Sequence, residues 1–258
     1  MKVGVFDSGV GGLTVLKAIR KRFPNLDLIY LGDTARVPYG NRSPETVIRY
    51  SLECAGFLME RGIDVLVVAC NTASSYAIDE LKKSFPVPVI GVVEPGVREA
   101  VRVSRGKVGV IGTRATVKSG SYQRLLKEAG LEVIAKACPL FVPLVEEGIV
   151  EGDIAESVVR MYLEDFRRLG VDTLILGCTH YPLLKGVISK VLDGVHIVDS
   201  SEAVARDLDG VVLDEGEGTT EVYFTDRSQD LERIVELIMG ERIQPVLVEG
   251  GSPPDSPF

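Results

Sequence analysis

Two cysteines stand at matching places in two similar segments of the chain. Residues 64–72 read Asp-Val-Leu-Val-Val-Ala-Cys-Asn-Thr and residues 172–180 read Asp-Thr-Leu-Ile-Leu-Gly-Cys-Thr-His, so Cys70 and Cys178 each follow a run of apolar residues. A thiolate can remove a proton, and a thiol can supply one. One thiol on each side of a cleft would therefore take a proton from one face of a carbon atom and return it to the opposite face.

A second pair of segments is repeated at almost the same distance. Residues 2–8 (Lys-Val-Gly-Val-Phe-Asp-Ser) are similar to residues 107–113 (Lys-Val-Gly-Val-Ile-Gly-Thr), with an offset of 105 residues against 108 for the cysteine segments. Two repeats in the same order indicate a duplicated unit, and hence two related lobes. If the lobes face each other, Cys70 and Cys178 approach a shared cleft from opposite sides.

The residues that follow each cysteine favour a functional role over two inert buried thiols. A free thiol has a pKa of about 8.5, so little of it is ionised at neutral pH. Asn71 and Thr72 follow the first cysteine, and Thr179 and His180 follow the second. Donors of this kind at the start of a helix lower a thiol pKa. We therefore expect both thiols to be activated.

The remaining cysteines and the histidine are interpreted from their neighbours. His180 lies two residues after Cys178 in a predicted turn, which makes it a candidate proton partner of that thiol. A zinc site formed by Cys70, Cys178 and His180 is an alternative, but there are no paired short-spaced ligands and no clear fourth ligand, so no metal is expected. Cys54 and Cys138 lack polar neighbours of this kind and are expected to be buried core thiols.

A glycine-rich stretch, Asp7-Ser-Gly-Val-Gly-Gly-Leu-Thr14, follows the first predicted strand and opens a helix. It matches the first two glycines of the dinucleotide pattern G-x-G-x-x-G, but Thr14 stands at the third. Asp33, at the end of the second strand, resembles a ribose-binding acid, so a dinucleotide-binding oxidoreductase or nucleotide sensor stays an alternative. The preferred interpretation is that loop N–H groups bind a carboxylate while Asp7 takes part in the chemistry.

Apolar, β-branched runs alternate with helix-length segments along the chain, which is typical of parallel sheets with helices on both faces. The predicted fold is α/β, with two pseudo-symmetric lobes that are each a parallel-sheet sandwich and an active site in the cleft between them. We expect residues 1–97 and 207–258 to form the first lobe, with Cys70. Residues 98–206 would form the second lobe, with Cys178.

Polar residues occupy the carboxyl ends of the predicted strands, where parallel sheets bind their ligands. Five such ends are expected to converge on one site: Asp7-Ser8, Asp33-Thr34, Cys70-Asn71-Thr72, Thr113 and Cys178-Thr179-His180.

Composition limits the possible partners. The 258 residues carry 37 acidic and 29 basic side chains, for a net charge of -8. Such a chain does not attract nucleic acid or an anionic membrane, so a small soluble ligand is the expected partner. No apolar stretch approaches the roughly 18 residues of a membrane span, and no signal-peptide core is recognised. A cytoplasmic location is therefore expected.

Six short motifs, taken in order, resemble those of the glutamate racemases in the family of cofactor-independent Asp/Glu racemases. They are Phe6-Asp-Ser-Gly-Val-Gly-Gly-Leu13, Gly32-Asp-Thr-Ala35, Pro38-Tyr-Gly40, Ala69-Cys-Asn-Thr-Ala73, Ile111-Gly-Thr113 and Gly177-Cys-Thr-His-Tyr-Pro182. Each motif alone is weak, whereas the ordered set covers most of the chain.

The resemblance implies interconversion of L- and D-glutamate without a cofactor, the supply of D-glutamate for peptidoglycan, and a homodimer. It implies that Cys70 acts on D-glutamate and Cys178 on L-glutamate. Asp7 would assist Cys70, His180 would assist Cys178, and Glu147 matches a family acid near the second thiol.

The resemblance also indicates which residues hold the amine and carboxylates of the substrate. Matching positions are Ser8, Tyr39, Gly40, Asn71, Thr72, Thr113, Thr116 and Thr179. Hydroxyls, amides and backbone N–H groups suit a small dianionic amino acid. Aspartate and hydantoin racemases are alternatives within the same fold, although the run Gly177–Pro182 and the glycine loop favour glutamate.

Overall fold

The structure is a computed structural model and describes residues 1–227 and 231–248. Within these residues the strands are β1 (Lys2–Asp7), β2 (Asp27–Gly32), β3 (Val65–Val68), β4 (Val89–Gly91), β5 (Lys107–Gly112), β6 (Glu132–Ala137), β7 (Thr173–Gly177), β8 (His196–Asp199), β9 (Thr220–Phe224) and β10 (Val246–Leu247). The α-helices are α1 (Leu13–Arg22), α2 (Pro44–Met59), α3 (Asn71–Tyr76), α4 (Ile78–Ser84), α5 (Val93–Val103), α6 (Arg114–Ser119), α7 (Ser121–Glu128), α8 (Phe141–Glu146), α9 (Gly152–Arg168), α10 (Lys185–Val191), α11 (Ser200–Asp207) and α12 (Leu231–Met239). Two 3₁₀ helices span Tyr39–Asn41 and Tyr181–Leu184.

The strands form two separate parallel sheets. The first has the order β10-β9-β2-β1-β3-β4, and the second has the order β6-β5-β7-β8. The four strands β2-β1-β3-β4 correspond one by one to β6-β5-β7-β8, so β3 and β7 occupy equivalent places. The predicted α/β class with two parallel-sheet lobes is confirmed, and the repeated segments lie on equivalent strands.

Each sheet is covered by helices because its central strands are apolar on both faces. Val65–Val68 is buried throughout, as is Thr173–Gly177. Buried clusters lie on both faces of each sheet. The lobes named below are the two sheets with the helices that cover them.

The chain returns to the first sheet after the second is complete. Strand β9 pairs with β2, and β10 pairs with β9. Helix α5 packs with the second sheet through Val97, and α11 packs in the first core through Val204. The limits 1–97, 98–206 and 207–258 stay a prediction, and residues 228–230 and 249–258 of the last range lie outside the described residues.

Local sequence explains where several helices begin and end. Ser43 accepts a hydrogen bond from Thr46 N at 3.3 Å and is followed by Pro44, so α2 has a capping side chain and a first-turn proline. Gly120 separates α6 from α7 at φ 69°, a left-handed conformation that glycine adopts at no steric cost. In the described part of the chain, no helix is long and apolar enough to cross a membrane.

Candidate active site

The first thiol lies where β3 turns into α3. Cys70 is the N-cap of that helix, and its Sγ accepts a hydrogen bond from Ala73 N at 3.5 Å. The same Sγ donates to Ser8 Oγ at 3.7 Å. The thiol is therefore fixed between a helix start and the loop that follows β1.

The second thiol lies at the equivalent place, after β7. Cys178 Sγ is 3.9 Å from His180 Nδ1, and His180 Nε2 is 3.3 Å from Oε1 of Glu146 at the end of α8. The imidazole is 4% exposed, whereas Glu146 is exposed. A buried histidine thus connects the second thiol to a carboxylate at the surface.

Both cysteines line one small cavity between the lobes, of about 40 Å³. Its other lining residues are Ser8, Val37, Pro38, Tyr39, Gly40, Asn71, Thr72, Thr113, Val142, Thr179 and His180. Four of the five strand ends predicted from sequence therefore meet in a single place, whereas Asp33 and Thr34 do not line the cavity. The cavity has room for no more than a few water molecules, so the cleft is closed.

Asp7 lies beneath this cavity and is fully buried. Its Oδ2 accepts hydrogen bonds from Gly9 N at 3.1 Å and Gly12 N at 3.0 Å, and its Oδ1 accepts one from Thr179 Oγ1 at 3.4 Å. These two loop N–H groups bind the carboxylate of the chain's own Asp7. The N–H groups of Gly9 and Gly12 are therefore not available to a ligand carboxylate, and for the rest of the loop the expectation stays a prediction.

The glycine loop also contacts the second lobe closely. A Cβ on Gly11 would lie 2.5 Å from Thr179 Oγ1 and 2.6 Å from His180 Nδ1. Thr14 Oγ1 donates to Thr179 O at 3.2 Å. Position 11 requires glycine because a side chain there would collide with the residues that follow Cys178 in the other lobe.

The expected activation of Cys70 is wrong in direction. Burial, followed by the negative charge of Asp7, raises the pKa of the Cys70 thiol to about 12, and the bonds from Ala73 N and with Ser8 offset only part of this. A protein interior disfavours the charged thiolate more than one helix-terminal N–H stabilises it. Cys70 is therefore a protonated thiol in this closed cleft.

For His180, beside the second thiol, the surroundings favour the charged form. Burial alone would lower the pKa of His180, but contacts with Cys178 and Glu146 and the charge of Asp7 raise that pKa to about 10. Burial raises the pKa of Asp7 despite the nearby His180 and its N–H donors. At neutral pH the imidazole carries a proton and faces the sulfur of Cys178.

Three threonines connect the lobes at the side of the cavity. Thr72 Oγ1 lies 3.1 Å from Thr113 Oγ1 and 3.2 Å from Thr116 Oγ1. Thr113 Oγ1 also donates to Thr116 Oγ1 at 3.0 Å. Thr116 is fully buried and is not among the residues that line the cavity, so it supports Thr113 from behind.

The segment Pro38–Gly40 forms a wall of the cavity. The hydroxyl of Tyr39 donates to Asp33, which also accepts from Arg36 Nε at 2.7 Å. A Cβ on Gly40 would lie 2.8 Å from Thr113 Cβ. The predicted substrate-binding residues Tyr39 and Gly40 are thus at the site, with the tyrosine hydroxyl engaged by Asp33.

Two adjacent glutamates near the second thiol, Glu146 and Glu147, have different surroundings. Glu147 is exposed at the C-cap of α8, and it does not line the cavity. The adjacent Glu146 makes the contact with His180. The sequence did not indicate Glu146, because α8 is too short to show a helical period and contains Pro143.

Two further residues at the site were not predicted. Tyr122, in α7, donates from its hydroxyl to Asn71 Oδ1 at 2.6 Å, and Thr14 connects the glycine loop to Thr179. Both act across the lobes, so their partners are far away in sequence. Within residues 1–227 and 231–248, no group of three or more His, Cys, Asp or Glu side chains could hold a metal ion.

Comparisons with known proteins agree with this architecture. The model of the family described as Asp/Glu/Hydantoin racemase matches residues 12–208. A curated glutamate racemase from Aquifex aeolicus (strain VF5) is 64% identical over 246 residues, which cover 95% of this chain and 96% of the relative.

Solved structures are similar over nearly the whole chain. Glutamate racemase from Aquifex pyrophilus is 60% identical, with a TM-score of 0.86 and coverage of 97% of this chain and 99% of that one. The enzyme from Francisella tularensis subsp. tularensis SCHU S4, in complex with D-glutamate, is 35% identical, with a TM-score of 0.87 and coverage of 96% of both chains. The chain therefore belongs to the Asp/Glu/hydantoin racemase family.

Proposed function

We propose that this racemase interconverts L- and D-glutamate without a cofactor, with Cys70 and Cys178 as the two proton-transfer groups. The observation that carries the proposal is that the two thiols occupy equivalent places in the two lobes and line the same cavity. A planar carbon held between them would receive a proton from either side.

The two sulfurs have different surroundings. Cys70 holds its proton because burial raises its pKa to about 12. Cys178 Sγ lies 3.9 Å from Nδ1 of the protonated His180, which can exchange a proton with it. For the direction that starts from L-glutamate, which the resemblance assigns to Cys178, the proposal takes Cys178 as the base and Cys70 as the acid.

The reaction then moves one proton in and one out. The thiolate of Cys178 forms an S–H bond as the α-carbon–hydrogen bond breaks, and the electron pair of that bond stays on the α-carbon. The thiol of Cys70 gives its proton to the opposite face, which leaves a thiolate there. The reverse reaction starts from that second state, with Asp7 assisting Cys70 and His180 assisting Cys178.

The carbanion-like state needs stabilisation because the α-proton of an amino acid is weakly acidic. A closed cavity strengthens each hydrogen bond to the carboxylate. Hydroxyls of Ser8, Thr72, Thr113 and Thr179 line the cavity and can hold the amine and the carboxylates. Asn71 supplies an amide to the same set. Glu147 stays a proposed acid near the second thiol, and Tyr39, Gly40 and Thr116 stay proposed contributors to the substrate site.

The proposal extends to the cellular role. D-Glutamate is a component of bacterial peptidoglycan, so we propose that the protein supplies it from L-glutamate in the cytoplasm, as a homodimer. The structure of the similar Francisella tularensis enzyme in complex with D-glutamate supports the choice of substrate. The dinucleotide alternative has less support, because the N–H groups of Gly9 and Gly12 donate to Asp7 rather than to a ligand.

A chiral assay with each enantiomer of glutamate in deuterated water tests the proposal. The wild-type protein is expected to form the opposite enantiomer with deuterium at the α-carbon. Cys70→Ser and Cys178→Ser are each expected to lower turnover by about 10²- to 10⁴-fold, the usual contribution of a general acid or base. Cys54→Ser is the matched control, since Cys54 is a buried thiol of α2 outside the cavity.

Two results of these assays would refute parts of the proposal. Wild-type turnover in the Cys70→Ser or Cys178→Ser protein would refute the two-thiol mechanism, provided that circular dichroism shows an intact fold. Parallel assays with L-aspartate identify the substrate, and faster turnover of aspartate than of glutamate would refute the substrate assignment.

A further inference from the structure

Asn71 carries a buried donor that nothing else in the described protein uses. Its side chain is 3% exposed and lines the cavity, and its Nδ2 has no hydrogen-bond partner among the described residues. A buried amide N–H group that is left without a hydrogen bond is destabilising. Such a donor beside the cavity indicates a ligand group that accepts hydrogen bonds.

The other end of this amide is held by Tyr122 of the second lobe. The Tyr122 hydroxyl donates to Asn71 Oδ1 at 2.6 Å, and Ser200 Oγ lies 3.5 Å from the same hydroxyl. Ser200 Oγ donates its own proton to Leu176 O at 3.1 Å. A phenol has only one proton to give, and the shorter contact is the one with the amide.

The distance also argues for the orientation of the amide. A separation of 2.6 Å is usual for O–H···O and short for N–H···O, which has its mode near 2.9–3.0 Å. Burial raises the pKa of Tyr122, so the phenol keeps its proton and remains a donor. Oxygen therefore faces Tyr122, and nitrogen is left for the cavity.

The ring of Tyr122 has little freedom to move. It is fully buried, and a Cβ on Gly177 would lie 3.4 Å from it. A Cβ on Gly96 would lie 3.6 Å from the opposite edge. The Tyr122 hydroxyl is thus held in one place, from which it fixes the orientation of the Asn71 amide across the cleft.

We propose that Tyr122 is a positioning residue that turns the Asn71 carboxamide so that its N–H groups face a carboxylate of the substrate. In the opposite orientation the amide oxygen would face that carboxylate and repel it. The inference rests on the proposed function for the identity of the carboxylate, and it assigns a role in substrate binding to a residue that does not line the cavity.

Kinetics and calorimetry of the full-length protein test this role. Tyr122→Phe keeps the ring and removes the hydroxyl, so the amide can rotate. We expect KM and the calorimetric Kd for L-glutamate to rise about 10-fold, which corresponds to about 1.4 kcal/mol, because a hydrogen bond to a charged carboxylate is lost. The value of kcat should change less than KM, because the carboxylate is bound in both ground and transition states.

A double-mutant cycle separates this role from simple packing. In an Asn71→Ala background, Tyr122→Phe should raise KM and Kd no further. Ser200→Ala, which removes the weaker neighbour of the hydroxyl, is the matched control and should leave both constants unchanged. An equal rise in both backgrounds, no rise in either, or a rise in Ser200→Ala as large as in Tyr122→Phe would overturn the inference.

The experiments distinguish failure of the proposed function from failure of the role proposed for Tyr122. Enantiomers have the same enthalpy in water, so racemisation adds no heat to the calorimetric titration and Kd is measured whether or not turnover occurs. Wild-type binding without turnover overturns the proposed function and leaves the cycle informative. Failure of the wild-type protein to bind glutamate overturns both.

Discussion

The two thiols have different partners although they occupy equivalent positions. Cys70 has Ser8 and a backbone N–H beside it, whereas Cys178 has a histidine with a proton. The first environment keeps the Cys70 sulfur neutral. The proposed reaction requires one sulfur to be a thiolate while the other is a thiol, and the different partners distinguish the two sulfurs.

Glu146→Gln tests the source of the charge on His180. Removing this carboxylate is expected to lower the pKa of His180 from about 10 towards its usual value near 6.5. The imidazole then loses its proton at lower pH, so the alkaline limb of the profile of kcat/KM should move to lower pH. Titration of the imidazole by NMR measures the same change directly.

Glu147→Gln is the matched control for Glu146→Gln, because it removes one carboxylate charge at the adjacent residue. The contact of Glu146 with His180 leads us to expect the larger shift in Glu146→Gln. The profile should be the same in both reaction directions, since the equilibrium constant between enantiomers is one. A larger shift in Glu147→Gln would transfer the role to the residue that the family resemblance indicates.

At the scale of elements, the loop after β1 contacts the segment that follows Cys178 in the second lobe. It surrounds Asp7 through Gly9 N and Gly12 N, and it contacts Thr179 through Thr14. The same loop therefore holds the carboxylate of one lobe and the segment after the thiol of the other. This dual contact gives the glycine run a structural role that does not depend on a bound nucleotide.

Gly11→Ala should damage catalysis without unfolding the protein. The added Cβ would lie less than 3 Å from both Thr179 Oγ1 and His180 Nδ1, and both side chains are buried. A displacement of about 1 Å is expected to lower kcat about 10²-fold. The measurement is kcat for glutamate racemisation, alongside the thermal midpoint.

Gly186→Ala is the control for this substitution. Gly186 is exposed in α10, and a Cβ there meets no atom within 4 Å. Alanine in a helix is more favourable than glycine by about 0.5–1 kcal/mol, so this variant should be slightly more stable and equally active. Full activity in Gly11→Ala would show that the loop adapts and does not position His180.

The same scale shows what sequence could predict. The apolar runs before Cys70 and Cys178 predicted central strands, and the repeat predicted equivalent positions, because period and burial are local properties. The pKa of the Cys70 thiol was predicted in the wrong direction, since the sequence shows the helix start but not the depth of burial. Glu146 and Tyr122 were missed because their partners lie far away along the chain.

For the whole molecule, the lobes are joined by contacts on both sides of the cavity. Tyr76 Oη donates to Ala115 O at 3.0 Å and Ser121 Oγ donates to Ser75 O at 3.2 Å, while Thr14 Oγ1 reaches Thr179 O on the other side. A cavity of about 40 Å³ cannot admit glutamate. Entry of substrate therefore requires either that the lobes separate or that side chains lining the cavity move.

We expect the ligand-free protein in solution to sample an open form that glutamate closes. The hydrogen bonds that join the lobes across the cavity each contribute about 0.5–1.5 kcal/mol, because opening exchanges them for hydrogen bonds with water. Saturating racemic glutamate should reduce the radius of gyration measured by X-ray scattering and slow hydrogen exchange in α3 and α6, which meet across the junction. Glycine at the same concentration and ionic strength is the control, because it lacks the second carboxylate. Unchanged scattering and exchange with glutamate would show that substrate enters by small side-chain motions and that the lobes do not move as bodies.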